Sequence, residues 1–553
     1  MGGSDLGSAA RGAAEPVAAP GVTSGGAWSR RRVLGGGLAA AAVAGAAVTG
    51  LAPPVAAAPA APAVPAGVRR PSGRSQYGPT SGSLAGHPLP AWWHDARFGV
   101  FIHWGAYAVP SYSPPHWIAE GSAWYWAFQQ IAGTPQYQHH RETYGTRFLY
   151  DDFLPQFKAE RYDPAAWVDL IERAGARYFV MTTKHHDGFC LFPSAVTGRH
   201  TSAIGPGRDL IGPMVATARD RGLKVGLYYS VPEWYNPAPV DQLTLDKVTN
   251  VAGELQSAQD DVLNNELLSA ISLVGFNLST PKNAYTAATV PYRGYRPVAD
   301  YAQFQRTQLR ELIERYHPDE LWADIGGPEQ YFQNNGVIAD FYNQALDHNP
   351  DGVVVNDRFG DHTTHRDYAV FENGGSYTAG SYTGRPTETV RTMGSSWGYN
   401  RWEIDYGDPG EYVQELADAV AHNSNYVLNI GPRADGTIPQ PMVTRLTTVG
   451  DWLAINGEAI YGSRPWVQAA DGNVRFTRQG EVVYLLAIGW PGAELTVKAP
   501  VPVRPTTNVT LLGSDGRPLR YRQGQGTFTI TTPAGGTAAT RSRHVFVFRV
   551  SPA

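Results

Sequence analysis

One structural unit repeats along the chain: an amphipathic helix, a short break and then a continuous apolar strand. In its first copy, Asp163 and Pro164 form a helix start, and the apolar run 178–183 follows the helix. The unit recurs over 214–229 and over 309–324. Such repeats imply a parallel sheet, and no glycine-rich phosphate loop follows the strands. The sequence therefore predicts an α/β fold, a (β/α) TIM-like barrel.

The segments on either side of the barrel have different compositions. Ser29 and three arginines precede a short, uncharged Ala/Gly-rich run and an Ala-Pro tract, so residues 1–65 are predicted to be a twin-arginine-type signal peptide and spacer. This apolar run is too short for a membrane anchor, and we expect a secreted or extracytoplasmic protein. The barrel is expected over 78–465. Six short apolar runs follow, which predict a small antiparallel β-sandwich over 466–553.

Charge and cysteine content exclude several classes of function. The chain has 45 Lys and Arg against 49 Asp and Glu, a net charge of −4, which excludes a basic nucleic-acid binder. Its single cysteine, Cys190, can form neither an intramolecular disulfide nor a cysteine-rich metal site. The folded protein must therefore be stabilised by packing.

Polar or ionisable residues follow each predicted apolar strand. In a barrel these positions meet at the carboxyl-terminal face, where active sites lie. Histidine, arginine and carboxylate groups beside aromatic rings suit a sugar, because rings stack on its apolar face and polar groups bond its hydroxyls. A metal site at the adjacent His185 and His186 is not predicted, since neighbours on an extended segment point to opposite sides. The residues at these positions are His103, His185, His186, Asp187, Tyr228, Tyr229, Asp324, Asn356, Asp357 and Arg358.

Seven segments between Trp92 and Trp466 resemble glycoside hydrolase family 29, the α-L-fucosidases. This resemblance implies a catalytic barrel followed by a β-sandwich, and an exo-acting hydrolase that retains the anomeric configuration and needs no cofactor. The implied substrate is a fucosylated oligosaccharide or glycoconjugate. The segments that carry the resemblance are 92–105, 184–189, 321–324, 356–358, 396–400, 425–432 and 456–462.

The same resemblance implies roles for individual residues. Asp324 matches the nucleophile, and Glu372 matches the general acid/base, with Glu388 as its rival. Arg358 would also help keep Asp324 ionised. Tyr228 competes with Tyr229 for one position, because the strand register is not fixed by the sequence. The residues matched to substrate binding are His103, Trp124, His185, His186, Tyr229 and Arg358.

The chain departs from the family at two places. The family usually carries a glutamate where this chain has Ala123, and Glu120 lies three residues earlier. This loss leaves open a related sugar such as an α-L-galactoside. A further alternative is a catalytically silent, sugar-binding relative that keeps the polar residues at the strand ends but lacks a placed acid. The second departure is an insertion at about 236–298, which is expected on the substrate side of the barrel and could be a lid or a passive excursion.

Overall fold

The computed structural model describes residues 75–115, 120–130, 134–236, 298–360, 365–373 and 385–552. These residues belong to one compact unit, Pro62–Ala553. The predicted signal peptide and spacer lie outside the described residues, as does nearly all of the predicted insertion, so both stay predictions. Within the described ranges, no helix is long and apolar enough to cross a membrane.

Eight parallel strands curl into a TIM-like barrel, as the repeated units predict. Their order around the sheet is β5-β4-β3-β2-β1-β8-β7-β6, and each neighbouring pair is parallel. Strands β1, β2, β5 and β8 are buried along their whole length, and β3, β4 and β7 at all but one residue, which explains their continuous apolar runs. The strands are β1 (Phe98–Ile102), β2 (Tyr178–Lys184), β3 (Lys224–Ser230), β4 (Glu320–Asp324), β5 (Val354–Val355), β6 (Ala369–Glu372), β7 (Thr387–Thr392) and β8 (Ser424–Ile430).

Helices pack around this sheet and begin where the sequence places their caps. The Asp163 side chain accepts hydrogen bonds from the N–H groups of Ala165 and Ala166, and Pro164 opens the helix that follows. The helices are α1 (Ser81–Leu84), α2 (Ala91–Ala96), α3 (Tyr125–Phe128), α4 (Pro135–Thr143), α5 (Pro164–Arg173), α6 (Ile211–Asp220), α7 (Tyr301–Tyr316), α8 (Glu329–Phe332), α9 (Asn334–His348), α10 (Pro409–Ala421) and α11 (Gln440–Asn456).

The barrel has a seam between β5 and β6, where the described residues form no strand ladder. One backbone hydrogen bond and two hydrogen bonds to aspartate side chains bridge it instead. The Asp367 N–H donates to Val355 O (3.0 Å), and the Val355 N–H donates to Asp367 Oδ2 (2.8 Å). The Val370 N–H donates to Asp357 Oδ1 (3.1 Å). These bonds hold the segment before β6 against the strand that precedes Arg358.

Two antiparallel sheets follow the barrel and share an apolar core that includes Phe476, Leu485 and Phe548. Eight strands are present, whereas the sequence predicted six. The two missed strands, β9 and β14, are largely polar or partly exposed and so lack a buried apolar run. The strands are β9 (Arg464–Asp471), β10 (Val474–Gln479), β11 (Val482–Ile488), β12 (Glu494–Val497), β13 (Asn508–Leu511), β14 (Tyr521–Gly524), β15 (Thr527–Thr531) and β16 (Val545–Ser551).

Candidate active site

A pocket opens at the carboxyl-terminal ends of the barrel strands. Aromatic and apolar side chains line part of it, and histidines, carboxylates and one arginine line the rest. Most of the residues predicted to bind substrate lie here. The lining residues are Phe101, His103, Glu120, Trp124, His185, His186, Tyr228, Trp322, Asp324, Ile325, Arg358, Glu372, Val390 and Trp397.

Asp324 ends strand β4 and presents its carboxylate to the pocket. Its Oδ1 atom accepts hydrogen bonds from Arg358 Nη1 (3.0 Å) and from the Ile325 N–H (2.9 Å). Its Oδ2 atom accepts from the Tyr228 hydroxyl (2.8 Å). Ile325 has a φ of 47°, a costly conformation for a β-branched residue. The chain therefore turns sharply after Asp324, and several donors fix the orientation of the carboxylate.

Arg358 joins two of the three carboxylates that line the pocket. Its Nη1 atom contacts both Asp324 Oδ1 and Glu372 Oε1. Burial opposes the charged guanidinium, but the charges of Glu372 and Asp324 outweigh it and raise the pKa of Arg358 above its usual value. The structure thus places Asp324, Arg358 and Glu372 in one cluster, and Glu372 lies where strand β6 ends.

His103 and His186 are neutral and offer acceptor atoms. Burial lowers the pKa of each to about 4. His103 Nδ1 lies 2.7 Å from Asn429 Oδ1. The orientation of the Asn429 amide is fixed, because its Nδ2 atom donates to Trp397 O (2.8 Å). His103 Nδ1 therefore carries the proton, which leaves Nε2 as an acceptor.

The same logic assigns the tautomer of His186. Its Nδ1 atom lies 2.6 Å from Ser230 Oγ, and that hydroxyl donates to Pro232 O (2.5 Å). Nδ1 is therefore the donor, and Nε2, which lies 3.6 Å from Asp324 Oδ2, carries the lone pair. A substrate hydroxyl placed between Nε2 and Asp324 could donate to either one.

His185 and His186 both line the pocket, although an extended segment would have pointed them apart. Strand β2 ends at Lys184, and the Gly188 N–H donates to His185 O (3.0 Å) in a turn. The turn brings the two imidazole rings to a centroid distance of 4.1 Å. Burial, followed by the charges of His186 and His103, lowers the pKa of His185 well below its usual value. Trp124 stands edge-on to His186, with ring centroids 5.4 Å apart.

The prediction that Tyr229 binds substrate is corrected, because the pocket holds Tyr228 instead. Neighbouring residues on strand β3 point to opposite faces of the sheet. The Tyr228 hydroxyl reaches Asp324, whereas the Tyr229 hydroxyl donates to Gln308 Oε1 (2.7 Å). Lys184 Nζ lies 4.2 Å from the centroid of the Tyr229 ring. Tyr229 is therefore a packing residue between the sheet and helix α7.

Glu388 does not reach the pocket and is buried in the barrel interior. It accepts hydrogen bonds from the Tyr178 hydroxyl (2.7 Å) and from Trp322 Nε1 (2.8 Å). Burial raises the pKa of Glu388 to about 7. Burial and the charge of Glu388 raise the pKa of the neighbouring Glu320 well above its usual value. Of the two rivals for the acid/base position, only Glu372 faces Asp324.

The buried Glu388 carboxyl makes stability depend on pH. A carboxyl whose pKa is higher in the folded than in the unfolded protein binds its proton more tightly when folded. The contribution of Glu388 to stability is therefore complete below about pH 4.5 and is lost as the pH rises through about 7. We expect the free energy of unfolding to fall by roughly 2–4 kcal/mol over this window because of Glu388.

This dependence is measurable by urea unfolding at a series of pH values. The Glu388→Gln variant cannot ionise at this position, so its free energy of unfolding should change less over the same window. Glu160→Gln at an exposed position is the matched control and should follow the wild type. Equal slopes for Glu388→Gln and the wild type would contradict the assignment.

Glu120 lies in the pocket, and Ala123 does not. Ala123 is buried at 1% exposure, three residues after Glu120 and next to Trp124. The Trp124 N–H donates to Glu120 O (2.8 Å), which turns the chain so that both side chains line the pocket. A carboxylate is therefore present on this wall, at a different position from the one that the family pattern indicated.

The sequence did not single out the apolar part of the lining. Phe101, Trp322 and Val390 lie inside strands β1, β4 and β7, and nothing distinguishes them from core residues in a sequence. Trp397 belongs to a segment that carried the resemblance, but no role was assigned to it. The centroid of its ring lies 5.1 Å from the centroid of the His103 ring.

One group of potential metal ligands occurs among the described residues, and it lies outside the pocket lining. His87 Nδ1 and His365 Nε2 lie 3.2 Å and 3.0 Å from Asp367 Oδ1. Asp367 Oδ2 accepts from the Tyr342 hydroxyl (2.8 Å) and from the Val355 N–H. These hydrogen bonds satisfy the carboxylate and hold it at the seam of the barrel.

A TIM-like barrel with two carboxylates among histidines and tryptophans at its carboxyl-terminal face is the arrangement of a glycoside hydrolase. A family model described as alpha-L-fucosidase matches residues 67–458. The chain belongs to this family of α-L-fucosidases.

Individual relatives agree with this membership. The chain is 35% identical to the tissue alpha-L-fucosidase of Homo sapiens over 460 residues, which cover 81% of this chain and 86% of that protein. It is 31% identical to the alpha-L-fucosidase of Dictyostelium discoideum over 458 residues, 80% of this chain and 87% of the relative. The solved structure of Thermotoga maritima alpha-fucosidase with a mechanism-based inhibitor aligns with a TM-score of 0.69 and 30% identity, over 86% of this chain and 99% of that one.

Proposed function

We propose that this α-L-fucosidase removes terminal α-L-fucose with retention of configuration, through a covalent fucosyl-enzyme on Asp324 and with Glu372 as general acid/base. The observation that carries the proposal is the contact of both carboxylates with the same atom, Arg358 Nη1. Of the carboxylates that line the pocket, these two are the ones joined by an arginine.

The separation of the two carboxylates supports retention rather than inversion. Two oxygens that each form a hydrogen bond or close ion pair with one nitrogen are at most about 6 Å apart. Retaining glycosidases place their carboxyl groups about 5–5.5 Å apart, while inverting enzymes need about 6.5–9.5 Å to admit a water molecule. The contacts of Asp324 and Glu372 with one arginine nitrogen keep these oxygens closer together than the inverting range requires, which supports retention.

The chemistry divides into two displacements. In the first, an Asp324 oxygen forms a bond to the anomeric carbon while the bond to the aglycone oxygen breaks, and Glu372 gives its proton to that oxygen. In the second, Glu372 takes a proton from water, whose oxygen attacks the anomeric carbon and releases Asp324. Two inversions restore the original configuration. The Arg358 guanidinium and the Tyr228 hydroxyl orient the attacking carboxylate.

Recognition of the sugar rests on neutral acceptors and aromatic walls. Uncharged His103 and His186 accept hydrogen bonds from sugar hydroxyls through their Nε2 atoms. Trp124 and Trp397 cover apolar faces of the sugar ring. The buried His185 Nδ1 atom has no hydrogen-bond partner among the described residues, which favours a role beside a bound ligand.

The test is the reaction of the wild-type protein with an aryl α-L-fucoside, followed by proton NMR of the first product. The α-anomer of fucose should form first and then mutarotate, as retention requires. Fucose that forms first as the β-anomer would contradict the double displacement. Binding of fucose without release of the aglycone would favour the sugar-binding alternative, and faster cleavage of the α-L-galactoside would favour that sugar.

Glu120 supplies a further test of recognition. We propose that its carboxylate accepts a hydroxyl of the fucosyl ring, so Glu120→Ala should lower kcat/KM on an aryl α-L-fucoside by roughly ten- to a hundredfold, the cost of about 1–3 kcal/mol. Glu120→Gln should lose less, because its amide oxygen still accepts. Azide should rescue neither variant, since no proton transfer is lost.

Glu142→Gln, at an exposed position on helix α4, is the matched control and should behave as the wild type. A Glu120→Ala variant with unchanged kcat/KM would show that this carboxylate does not contact the sugar.

A further inference from the structure

The loop that follows strand β7 presents an exposed tryptophan on the same face of the barrel as the pocket. Trp402 keeps 51% of its surface exposed. Single exposed apolar side chains are common on protein surfaces and need no explanation by themselves. The way in which this one is held, and the rings around it, set Trp402 apart.

Hydrogen bonds fix the backbone on both sides of Trp402. The Trp402 N–H donates to Asn400 Oδ1 (3.0 Å), and the same oxygen accepts from the Ser113 N–H (3.2 Å). On the other side, Glu403 Oε2 accepts from the N–H (2.7 Å) and the hydroxyl (2.6 Å) of Ser395. The loop is therefore closed on itself and tied to the segment after β1, so the indole is presented by a rigid support.

Two more rings extend the surface beside Trp402. Tyr112 stands edge-on to it, with centroids 6.2 Å apart and an angle of 82°. Tyr112 in turn stacks on His139 at 3.8 Å and 7°. Burial, followed by the charges of His140 and Arg401, lowers the pKa of His139 to about 4, so the ring is uncharged at neutral pH. We name Trp402, Tyr112 and His139 the aromatic shelf.

Trp402 of the aromatic shelf and Trp397 of the pocket wall belong to the same loop. Trp397 lines the pocket, and five residues of extended chain reach at most about 18 Å, so the backbones of Trp397 and Trp402 lie within that distance. The loop after β7 is also joined to the segment after β1 close to the pocket, because Ser122 Oγ lies 2.7 Å from Ser396 Oγ. Ser122 is next but one to Trp124, which also lines the pocket.

We propose that the aromatic shelf binds the leaving group, the saccharide to which the fucose is attached. This inference rests on the proposed function, since it needs a fucosyl unit in the pocket. A sugar has an apolar face that stacks on an indole and hydroxyls that stay in water. A rigid, half-exposed ring suits such a ligand better than it suits a protein partner, which would need a larger apolar surface. The shelf would thus select fucosides by their aglycone without changing how fucose itself is held.

The experiment compares two kinds of substrate in the full-length protein. α-L-Fucosyl fluoride has a leaving group too small to reach the shelf, whereas a panel of fucosyl trisaccharides that differ in linkage can reach it. For Trp402→Ala, kcat/KM on at least one trisaccharide should fall roughly three- to tenfold, the worth of one aromatic stacking contact. Its kcat/KM on the fluoride should stay within about twofold of the wild type. Trp402→Phe should recover part of the loss.

Val467→Ala, which removes another exposed apolar side chain from strand β9, is the matched control and should change neither value. Equal losses on the fluoride and the trisaccharides, or no loss on any trisaccharide, would overturn the proposal. A change of oligomeric state with no substrate-dependent loss would instead make the shelf a protein interface and would also overturn it. If the wild type cleaves no fucoside, the proposed function itself is wrong. If the wild type is active and Trp402→Ala cleaves every substrate equally well, only the role of the shelf is wrong.

Discussion

Replacing Asp324 with glycine should lower the rate of fucoside hydrolysis by about 10⁴-fold, because the atom that attacks the anomeric carbon is removed. The folded protein should persist, since Arg358 keeps its ion pair with Glu372. Steady-state kinetics on an aryl α-L-fucoside measure the loss. Azide should restore part of the activity by attacking the substrate directly, and the product should be the β-fucosyl azide, formed by a single inversion.

The controls for Asp324→Gly are structural and chemical. Asp324→Asn keeps one acceptor oxygen for the Ile325 N–H, and its amide NH2 can donate to the Tyr228 hydroxyl oxygen. It should therefore unfold at a temperature near that of the wild type and still be inactive. If both variants lose activity and folding together, kinetics cannot assign the nucleophile. Peptide mapping of a fluoro-sugar adduct on the wild type would then identify the residue that carries the sugar. Activity of Asp324→Gly within tenfold of the wild type would show that another group attacks.

Replacing Glu372 with alanine should have an effect that depends on the leaving group. Fucosides with poor leaving groups need the proton of Glu372 and should lose about 10²–10⁴-fold in kcat/KM. Fucosyl fluoride and activated aryl fucosides need little help and should lose much less. Azide should trap the fucosyl-enzyme, and because that intermediate has already inverted once, the product should be the α-fucosyl azide.

Glu388→Gln provides the matched comparison for Glu372→Ala. Glu388 is buried beneath the pocket, so its replacement should change stability and show no dependence on the leaving group. If Glu388→Gln instead shows the leaving-group dependence and the azide product, Glu372 is not the acid/base.

The repeated units were sufficient to predict the barrel, because buried parallel strands leave continuous apolar runs and their helices carry visible caps. The polar residues that directly follow the apolar runs of β1, β2, β4 and β5 identified the polar side of the pocket, because each run shows where its strand ends. What the sequence left undecided was the choice within a pair. Tyr228 and Tyr229 are adjacent on one strand, and only the register assigns one of them to the interior. Nor could spacing show that a turn brings His185 and His186 together.

Glu120 and the apolar walls were beyond prediction for different reasons. Glu120 reaches the pocket through a hydrogen-bonded turn, which has no sequence signature of its own. Phe101, Trp322 and Val390 are core-like residues whose position near the open end of the barrel is set by the tilt and closure of the sheet, a property of the whole fold. The strands β9 and β14 were missed because pairing with neighbours, rather than burial, defines them.

Because of the seam in the barrel, the strands that carry Asp324 and Glu372 are held by different numbers of neighbouring strands. Strand β4, which carries Asp324, is bonded on both sides, so a shift by one residue would break two ladders at once. Strand β6, which carries Glu372, is paired with β7 on one side only among the described residues. Insertions before β6 can therefore be absorbed at an edge. The barrel therefore holds Asp324, the proposed nucleophile, at a fixed position, whereas the chain before Glu372, the proposed acid/base, can vary in length. This difference agrees with the family resemblance, which matched Asp324 directly but left Glu388 as a rival to Glu372.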